Sequence, residues 1–181
     1  MAPVFVYNAF IFTYGMKVVG ASRDFLLVVL LIASFMSFFT IPFSGYLSDR
    51  LGRKQVYIFG AVTTGLFAFA YFAMLDTAIP SLIILASLIA FAFHDLMWGP
   101  LAALTAECFT PRLRYSGASI GFQLAAVFAG GPAPLIATAI LASTGSGQMI
   151  ALYIFGCTLV TIAATTFLPS NRDRDFARDH L

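Results

Sequence analysis

The sequence predicts an all-α, polytopic membrane protein, and three observations lead to that fold class. Of its 181 residues, 60% are hydrophobic and only 10% are charged, a balance outside the range of ordinary soluble domains. Its apolar runs exceed the length of about 18 residues that is typical of a membrane-spanning helix. These runs also lack the alternation of polar and apolar residues found in barrel strands, so helices must satisfy the backbone in lipid.

Six segments are predicted to cross the bilayer, each near the roughly 20 residues that a spanning helix needs. They cover residues 2–20, 25–46, 56–75, 79–99 with an extension toward 108, 116–141 and 148–168. The first has no basic stretch before it and no clear cleavage site after it, so we expect it to stay in the mature chain. Cys108 and Cys157 show no paired spacing, so neither a metal site nor a disulfide is predicted.

The basic residues predict the orientation of these spans, because with six crossings one side of the membrane receives most of them. These are Arg50, Arg53, Lys54, Arg112, Arg114, Arg172, Arg174 and Arg178. The other side receives Lys17 and Arg23, so the positive-inside rule places both termini and the tail, residues 169–181, in the cytoplasm. Topology explains these charges, and nucleic acid is therefore not an expected partner.

The stretch GYLSDRLGRK, residues 45–54, connects the second and third spans and contains four charged residues. Gly45 and Gly52 permit close backbone approach and a tight turn. The positive-inside rule alone would explain the basic residues, but it does not require Asp49 or the spacing of the glycines. We therefore expect this stretch to clamp neighbouring helix ends.

A family resemblance rests on the same stretch. Its charges and glycines resemble the G-x-x-x-D-R-x-G-R-[RK] signature of the major facilitator superfamily, which lies between the second and third helices of each six-helix half. The matching residues are Gly45, Asp49, Arg50, Gly52, Arg53 and Lys54. Residues 98–117, WGPLAALTAECFTPRLRYSG, are similar to helices ten and eleven of the metabolite:proton symporter branch of that family.

The resemblance implies the C-terminal six-helix half of a twelve-helix transporter in a bacterial cytoplasmic membrane. Residues 1–168 would form one transmembrane domain of two inverted three-helix units, about 1–75 and 79–168. The implied activity is proton-coupled symport of a small organic acid or zwitterionic metabolite, without a cofactor. The partners would be the solute, a proton, the lipid bilayer, and either a missing N-terminal half or a second copy of the chain.

Other classes of function are less well supported by the sequence. A truncated or assembly-partner membrane fragment with no transport activity of its own is the alternative that stays open. The sequence contains no phosphate-binding G-x-x-x-x-G-K-[ST] loop and no Ser, His and Asp set in a nucleophile elbow. It therefore predicts neither an ATP-driven pump nor an enzyme.

The fourth span carries the strongest candidate for a proton site. His94 and Asp95 lie within it, and an Asp at the centre of a spanning helix costs about 2.5–3.5 kcal/mol on insertion scales. Spacings of three and four residues put both on one helix face with Trp98. The pair suits proton binding or relay, with Asp95 as the more sensitive member, while a hydrogen bond that merely joins two helices is the alternative.

Two helix interruptions are expected, at Gly99–Pro100 in the fourth span and at GGPAP, residues 130–134, in the fifth. Paired breaks often mark the binding region of a transporter, and ordinary packing kinks are the alternative. Gln123 lies seven residues before Gly130 and shares a helix face with it.

Polar residues also lie along the first two spans. Tyr7, Tyr14 and Lys17 are predicted to offer two phenols and a cation to an anionic solute, unless Lys17 snorkels to the membrane interface. Helix packing explains a polar stripe on the second span as well as solute contact does, so the stripe is not ranked as a site. It consists of Ser34, Ser37, Thr40 and Ser44.

Glu107 and Arg114 flank Pro111 and Arg112, and they resemble the acidic and basic pair at the inner gate of family members. Together with residues 45–54 they complete the predicted cytoplasmic gate. The chain has one more residue before the proline than the E-x-F-P of related porters, which leaves the register of a Glu107–Arg114 contact open. A pair that forms only in one state would bias the equilibrium between outward and inward states.

Overall fold

A computed structural model describes residues 2–110 and 112–168. Within those residues it contains six helices long and apolar enough to cross a membrane, and no strand. They are α1 (Ala2–Val19), α2 (Arg23–Leu51), α3 (Arg53–Asp76), α4 (Pro80–Glu107), α5 (Arg114–Thr144) and α6 (Gly147–Phe167). The predicted all-α, polytopic fold is thus confirmed. Pro111 and the predicted tail, residues 169–181, lie outside the described residues.

Local sequence sets several of the helix ends. Ser22 begins α2, since its Oγ accepts a hydrogen bond from the backbone N–H of Phe25 at 3.2 Å. Pro80 occupies the first turn of α4, where its fixed φ fits and no helical hydrogen bond is lost. Gly52 separates α2 from α3 with a φ of 106°, and Gly145 ends α5 with a φ of 64°. Both conformations favour glycine, so residue type decides where these helices stop.

The packing is centred on α3, which lies between α4 and α6, while α4 also packs along α2. Small residues line the contact between α3 and α4, where a Cβ on Gly60 would lie 3.0 Å from the backbone nitrogen of Met97. Ala68 and Ala86 are completely buried in the same core. In lipid, close backbone approach of this kind drives helix association. The core therefore holds α4, the helix that carries Asp95, against two neighbours.

The helices α1 and α5 are irregular. In α1 the α-helix gives way to π-helical turns at Val6–Phe10 and Gly15–Val19, and in α5 to one at Ala126–Gly130. The two helices pack together beside these turns, since a Cβ on Gly130 would lie 2.5 Å from the nearest ring atom of Phe5. The expected interruption at residues 130–134 is therefore present, as a π-helical turn followed by a turn before Ala133.

The expectation that the helix unwinds at Gly99–Pro100 is wrong, because α4 runs as one helix from Pro80 to Glu107 with Pro100 buried inside it. Contact with α2 supports the helix at this point: a Cβ on Gly99 would lie 2.7 Å from the backbone nitrogen of Gly45. A proline inside a membrane helix is tolerated where a neighbouring helix packs against it and supplies polar groups. The Gly99–Pro100 pair thus forms a helix contact and not a break.

Large apolar side chains cover the outer faces of α2 and α5. Phe35, Phe38 and Phe43 project from α2, and Val127 and Phe128 from α5, all of them exposed on the described part of the chain. Contiguous apolar surface of this kind faces lipid or another membrane-embedded partner.

Candidate functional site

The centre of the candidate site is Asp95, which α4 turns toward α2 and not toward the exterior. Only 3% of Asp95 is exposed. The hydroxyl of Thr40 donates a hydrogen bond to Asp95 Oδ2. One turn further along α2, Ser44 Oγ donates to the backbone carbonyl oxygen of Asp95 at 2.8 Å. The carboxyl group is thus buried between two helices, in contact with the neutral hydroxyl group of Thr40.

His94 and Trp98 complete this group. His94 is 6% exposed, and its Nδ1 lies 4.0 Å from Asp95 Oδ1, the carboxyl oxygen that does not contact Thr40. The imidazole ring lies 5.7 Å from the indole ring of Trp98, which in turn packs edge-on against Phe122 of α5 at 5.9 Å. The structure therefore brings together the predicted His94, Asp95 and Trp98. With Thr40, we refer to them as the Asp95 cluster.

In the part of the chain that the structure describes, the Asp95 carboxyl group is buried without a permanent cation beside it. The imidazole of His94 lies 4.0 Å from the carboxyl group. Among the described residues, no lysine or arginine lies that close. A carboxylate buried without a permanent cation is costly in a membrane, and protonation removes that cost.

A second polar group lies where α2 and α3 meet. Arg53 hydrogen-bonds Asp49 Oδ1 through Nη2 at 3.0 Å and through Nε at 3.2 Å, and its Nη1 donates to Glu107 Oε1. Lys54 Nζ donates to the carbonyl oxygens of Thr166 at 2.9 Å and Leu168 at 3.0 Å. We refer to Asp49, Arg53, Lys54 and Glu107 as the motif cluster.

The motif cluster joins four helix ends. Arg53 connects the end of α2 to the end of α4, and Lys54 supplies a cation to the terminal carbonyl groups of α6, where a positive charge is favoured. The side chains of Asp49, Arg53 and Glu107 are 62%, 36% and 36% exposed, so solvent weakens each ion pair to below about 1 kcal/mol. Each ion pair of the motif cluster is therefore weak by itself.

The other predicted gate residues lie around the motif cluster. The guanidinium of Arg50 lies 4.7 Å from the ring centre of Tyr46, on the exposed surface. Gly52 provides the turn between α2 and α3, and Gly45 provides the close contact with Gly99. Arg114 is half-buried, and its Nε is a buried atom without a hydrogen-bond partner in the described part of the chain.

Cys108 directly follows α4 beside this cluster. Partial burial, together with the negative charge of the adjacent Glu107, raises the pKa of the Cys108 thiol. Both effects disfavour the thiolate, so the thiol is neutral at physiological pH. The described residues contain no group of three or more potential metal ligands.

The predicted group of Tyr7, Tyr14 and Lys17 is divided by the structure. Both tyrosines are buried in the core: the rings of Tyr7 and Tyr71 lie 5.0 Å apart, and Tyr14 donates a hydrogen bond to Asp76 at the end of α3. Lys17 is exposed, away from the buried core that holds the two tyrosines. The π-helical turn Gly15–Val19 changes the register after Tyr14, so regular helical spacing does not hold here.

Gln123 is exposed on α5, whereas Gly130 is buried. Gln123 directly follows Phe122 on α5, and the ring of Phe122 contacts Trp98 of the Asp95 cluster. In the described residues it is a surface side chain and not part of the buried cluster.

Thr40 is the residue of the site that sequence reasoning missed. It belongs to the polar stripe of α2, in which Ser37, Thr40 and Ser44 follow one face at helical spacing. The stripe was a visible signal, but the sequence does not say which member faces an acidic residue 55 positions further along the chain. The contact between Glu107 and Arg53 was likewise not assigned.

The sequence model of the Major Facilitator Superfamily matches residues 2–178. The shikimate transporter of Escherichia coli (strain K12) is 31% identical over 175 residues, which is 95% of this chain and 40% of that protein. The citrate-proton symporter of Klebsiella pneumoniae is 29% identical over 157 residues, 86% of this chain and 35% of that protein.

The inner membrane metabolite transport protein YhjE of Escherichia coli (strain K12) is 30% identical over 152 residues, 81% of this chain and 34% of that protein. No solved structure gives a significant match. The chain thus spans between 34% and 40% of the length of these relatives. Six helices of membrane-spanning length in the described residues, the motif cluster and the match over residues 2–178 together show that the chain belongs to the major facilitator superfamily, whose members are transporters and not enzymes.

Proposed function

We propose that the chain is the C-terminal half of a transporter that moves a small organic acid or zwitterionic metabolite together with a proton. The observation that carries this proposal is the burial of Asp95 inside α4 without a lysine or arginine within 4.0 Å among the described residues. Burying a carboxylate in a membrane is expensive, and such residues commonly mark ion or proton pathways. The names of the shikimate and citrate-proton relatives support an organic acid as the solute class.

In this proposal Asp95 binds the proton, and His94 adjusts the proton affinity of Asp95. When the site opens to the side with more protons, Asp95 becomes neutral, and the cost of its buried charge disappears. The neutral cluster then favours the enclosed state of the site over the open state. The proton shifts this equilibrium because it binds more tightly to the enclosed state. A protonated His94 would offer a positive charge to an anionic solute, and Trp98 a flat apolar surface beside it.

The remaining predicted residues have secondary roles in this proposal. Tyr7 and Tyr14 would hold α1 against the core, and Lys17 and Gln123 would contact solute only if further helices enclose them. The motif cluster would act as the gate on the cytoplasmic side, with both chain termini on that side. Opening Arg53 from Glu107 would release α4 from the end of α2, and a contact of Arg114 would replace or add to it.

The proposal includes helices beyond this chain. A superfamily transporter encloses its solute between two halves, and this chain spans 34% to 40% of its relatives. The exposed apolar faces of α2 and α5 would contact either an N-terminal six-helix half or a second copy of the chain. Within the chain, the two inverted units would be residues 1–75 and 79–168. The same coverage favours, as a second candidate, a fragment or assembly partner without transport activity of its own.

Proton movement that depends on the solute tests the proposed function. Cells expressing the complete reading frame that contains these residues would be suspended in weakly buffered medium, and shikimate, citrate or a zwitterionic amino acid would be added. For at least one of these compounds or their close analogues, we expect the medium to become alkaline as solute and proton enter together. Uptake of the solute without any pH change would contradict symport, and a full lack of uptake across the panel would favour the non-transporting fragment.

The need for further helices predicts the association state of the chain. Expressed alone in membranes, the 19.5 kDa chain should cross-link to a second copy or to a separate six-helix partner, because its outer faces and motif cluster complete a two-half assembly. Chemical cross-linking in native membranes followed by mass determination measures this. A chain that stays monomeric and still catalyses uptake would refute the two-half proposal.

A further inference from the structure

The hydroxyl group of Thr40 has two acceptors within reach. Its Oγ1 contacts Asp95 Oδ2 on α4, and it also lies 3.3 Å from the backbone carbonyl oxygen of Met36 on its own helix. A threonine hydroxyl has one hydrogen to donate and two lone pairs with which to accept. It can therefore donate to only one of these two oxygens at a time.

We propose that Thr40 is a positioning residue that keeps Asp95 hydrogen-bonded in both of its protonation states. The inference rests on the proposed function, in which Asp95 carries the proton. With Asp95 charged, the Thr40 hydroxyl donates its hydrogen to Oδ2. With Asp95 protonated, the carboxyl O–H donates to Thr40 Oγ1, and the Thr40 hydrogen turns to the Met36 carbonyl. The pair gains one proton and no other covalent bond forms or breaks, while the hydrogen bond between Thr40 and Asp95 reverses its direction and persists in both states.

The alternative for Thr40 is a hydrogen bond that only joins two helices. Ser44 already makes such a bond. Ser44 Oγ lies 2.8 Å from the backbone oxygen of Asp95 and 2.8 Å from that of Ile41, so it ties α2 to the main chain of α4. That contact involves no titrating atom and does not change when Asp95 binds a proton. Thr40 differs because it contacts the carboxyl oxygen itself.

Ser37 offers a comparison on the same face of α2. Its Oγ is a buried atom without a hydrogen-bond partner in the described residues, one helical turn before Thr40. Burial of a hydroxyl group on this stripe is therefore not enough to involve it with Asp95. A valine at position 40 would keep the branched shape but leave the carboxyl group without this partner in either state, which is costly for a buried polar atom.

Infrared difference spectroscopy tests the inference without a known solute. The complete protein would be purified into lipid and titrated with acid, and the carbonyl stretch of the protonated Asp95 would be isolated by subtracting the spectrum of Asp95→Asn. In Thr40→Val, we expect this band to move to higher wavenumber, because the acid O–H has lost its acceptor. Thr40→Ser keeps the hydroxyl and should restore the original position, and Ser37→Ala should leave the band unchanged.

The outcomes separate the inference from the proposed function. If Asp95→Asn removes no carboxylic acid band, Asp95 does not take up a proton, and the proposed function falls together with this inference. If the band exists but Thr40→Val leaves its position unchanged, the inference alone is overturned. Should Thr40→Val reach the membrane poorly, Thr40→Ala removes the same hydroxyl without a branched side chain, and its band must show the same shift.

Discussion

Replacing Asp95 by Asn should abolish solute accumulation driven by a pH gradient, while insertion into the membrane stays normal. Asn matches Asp in shape, and its side-chain oxygen can still accept the hydrogen bond from Thr40. What it lacks is a group that can gain and lose a proton. Accumulation should therefore fall to the level measured without a gradient, in cells given whichever solute makes the medium alkaline with the unaltered protein.

A matched control for this variant is Asp24→Asn, which neutralises an exposed carboxylate in the first turn of α2. Loss of that charge should cost at most about 1 kcal/mol at a helix start and leave uptake intact. Equal protein levels in membrane fractions of the two variants would show that insertion is unaffected. Undiminished gradient-driven uptake by Asp95→Asn would remove Asp95 from the proton pathway.

Replacing Gly99 by Ala should strongly destabilise the bundle by forcing α2 away from α4. The added Cβ would lie 2.7 Å from the backbone nitrogen of Gly45 and 2.8 Å from the backbone oxygen of Ile41, and neither backbone atom can move aside as a flexible side chain could. Overpacking of this kind costs typically about 1–3 kcal/mol. The protein in detergent should therefore lose its monodisperse peak at a lower temperature than the unaltered protein.

Gly156→Ala on α6 is the control, because a Cβ there would meet nothing within 4 Å. It adds the same methyl group to a membrane helix and improves local helix propensity, so its thermal stability should equal or exceed that of the unaltered protein. A melting temperature for Gly99→Ala as high as that of Gly156→Ala would contradict the close contact between α2 and α4. The position of Thr40 relative to Asp95 depends on that same contact.

The fold was predictable because the bilayer leaves few choices. A run of about 20 apolar residues must form a spanning helix, since lipid satisfies no backbone group, and this reasoning located all six helices found in the described residues. Asp95 was identifiable for a related reason. A carboxyl group in an apolar run carries a cost visible in the sequence, whatever the fold around it.

Predictions based on regular helical spacing succeeded only where the helix is regular. In α4 the spacing of three and four residues correctly put His94, Asp95 and Trp98 side by side. In α1 the same reasoning grouped Lys17 with two tyrosines that are buried elsewhere, because π-helical turns alter the register. At Gly99–Pro100 the composition suggested a break, but packing against Gly45 supports a continuous helix.

By itself, the sequence determined the helices, the family and the presence of a buried acid. Each of these follows from a single segment: the helices from the length of the apolar runs, the family from the spacing of glycines and charges in residues 45–54, and the buried acid from the energetic cost of inserting Asp95 into the membrane. Tertiary structure alone decided which side chains meet between segments. Thr40 contacts Asp95, Arg53 contacts Glu107, and Lys54 contacts the end of α6 across 55, 54 and more than 100 residues. Such pairings depend on the relative translation and rotation of two packed helices. Backbone contact at glycine sets that translation and rotation only once the helices have packed.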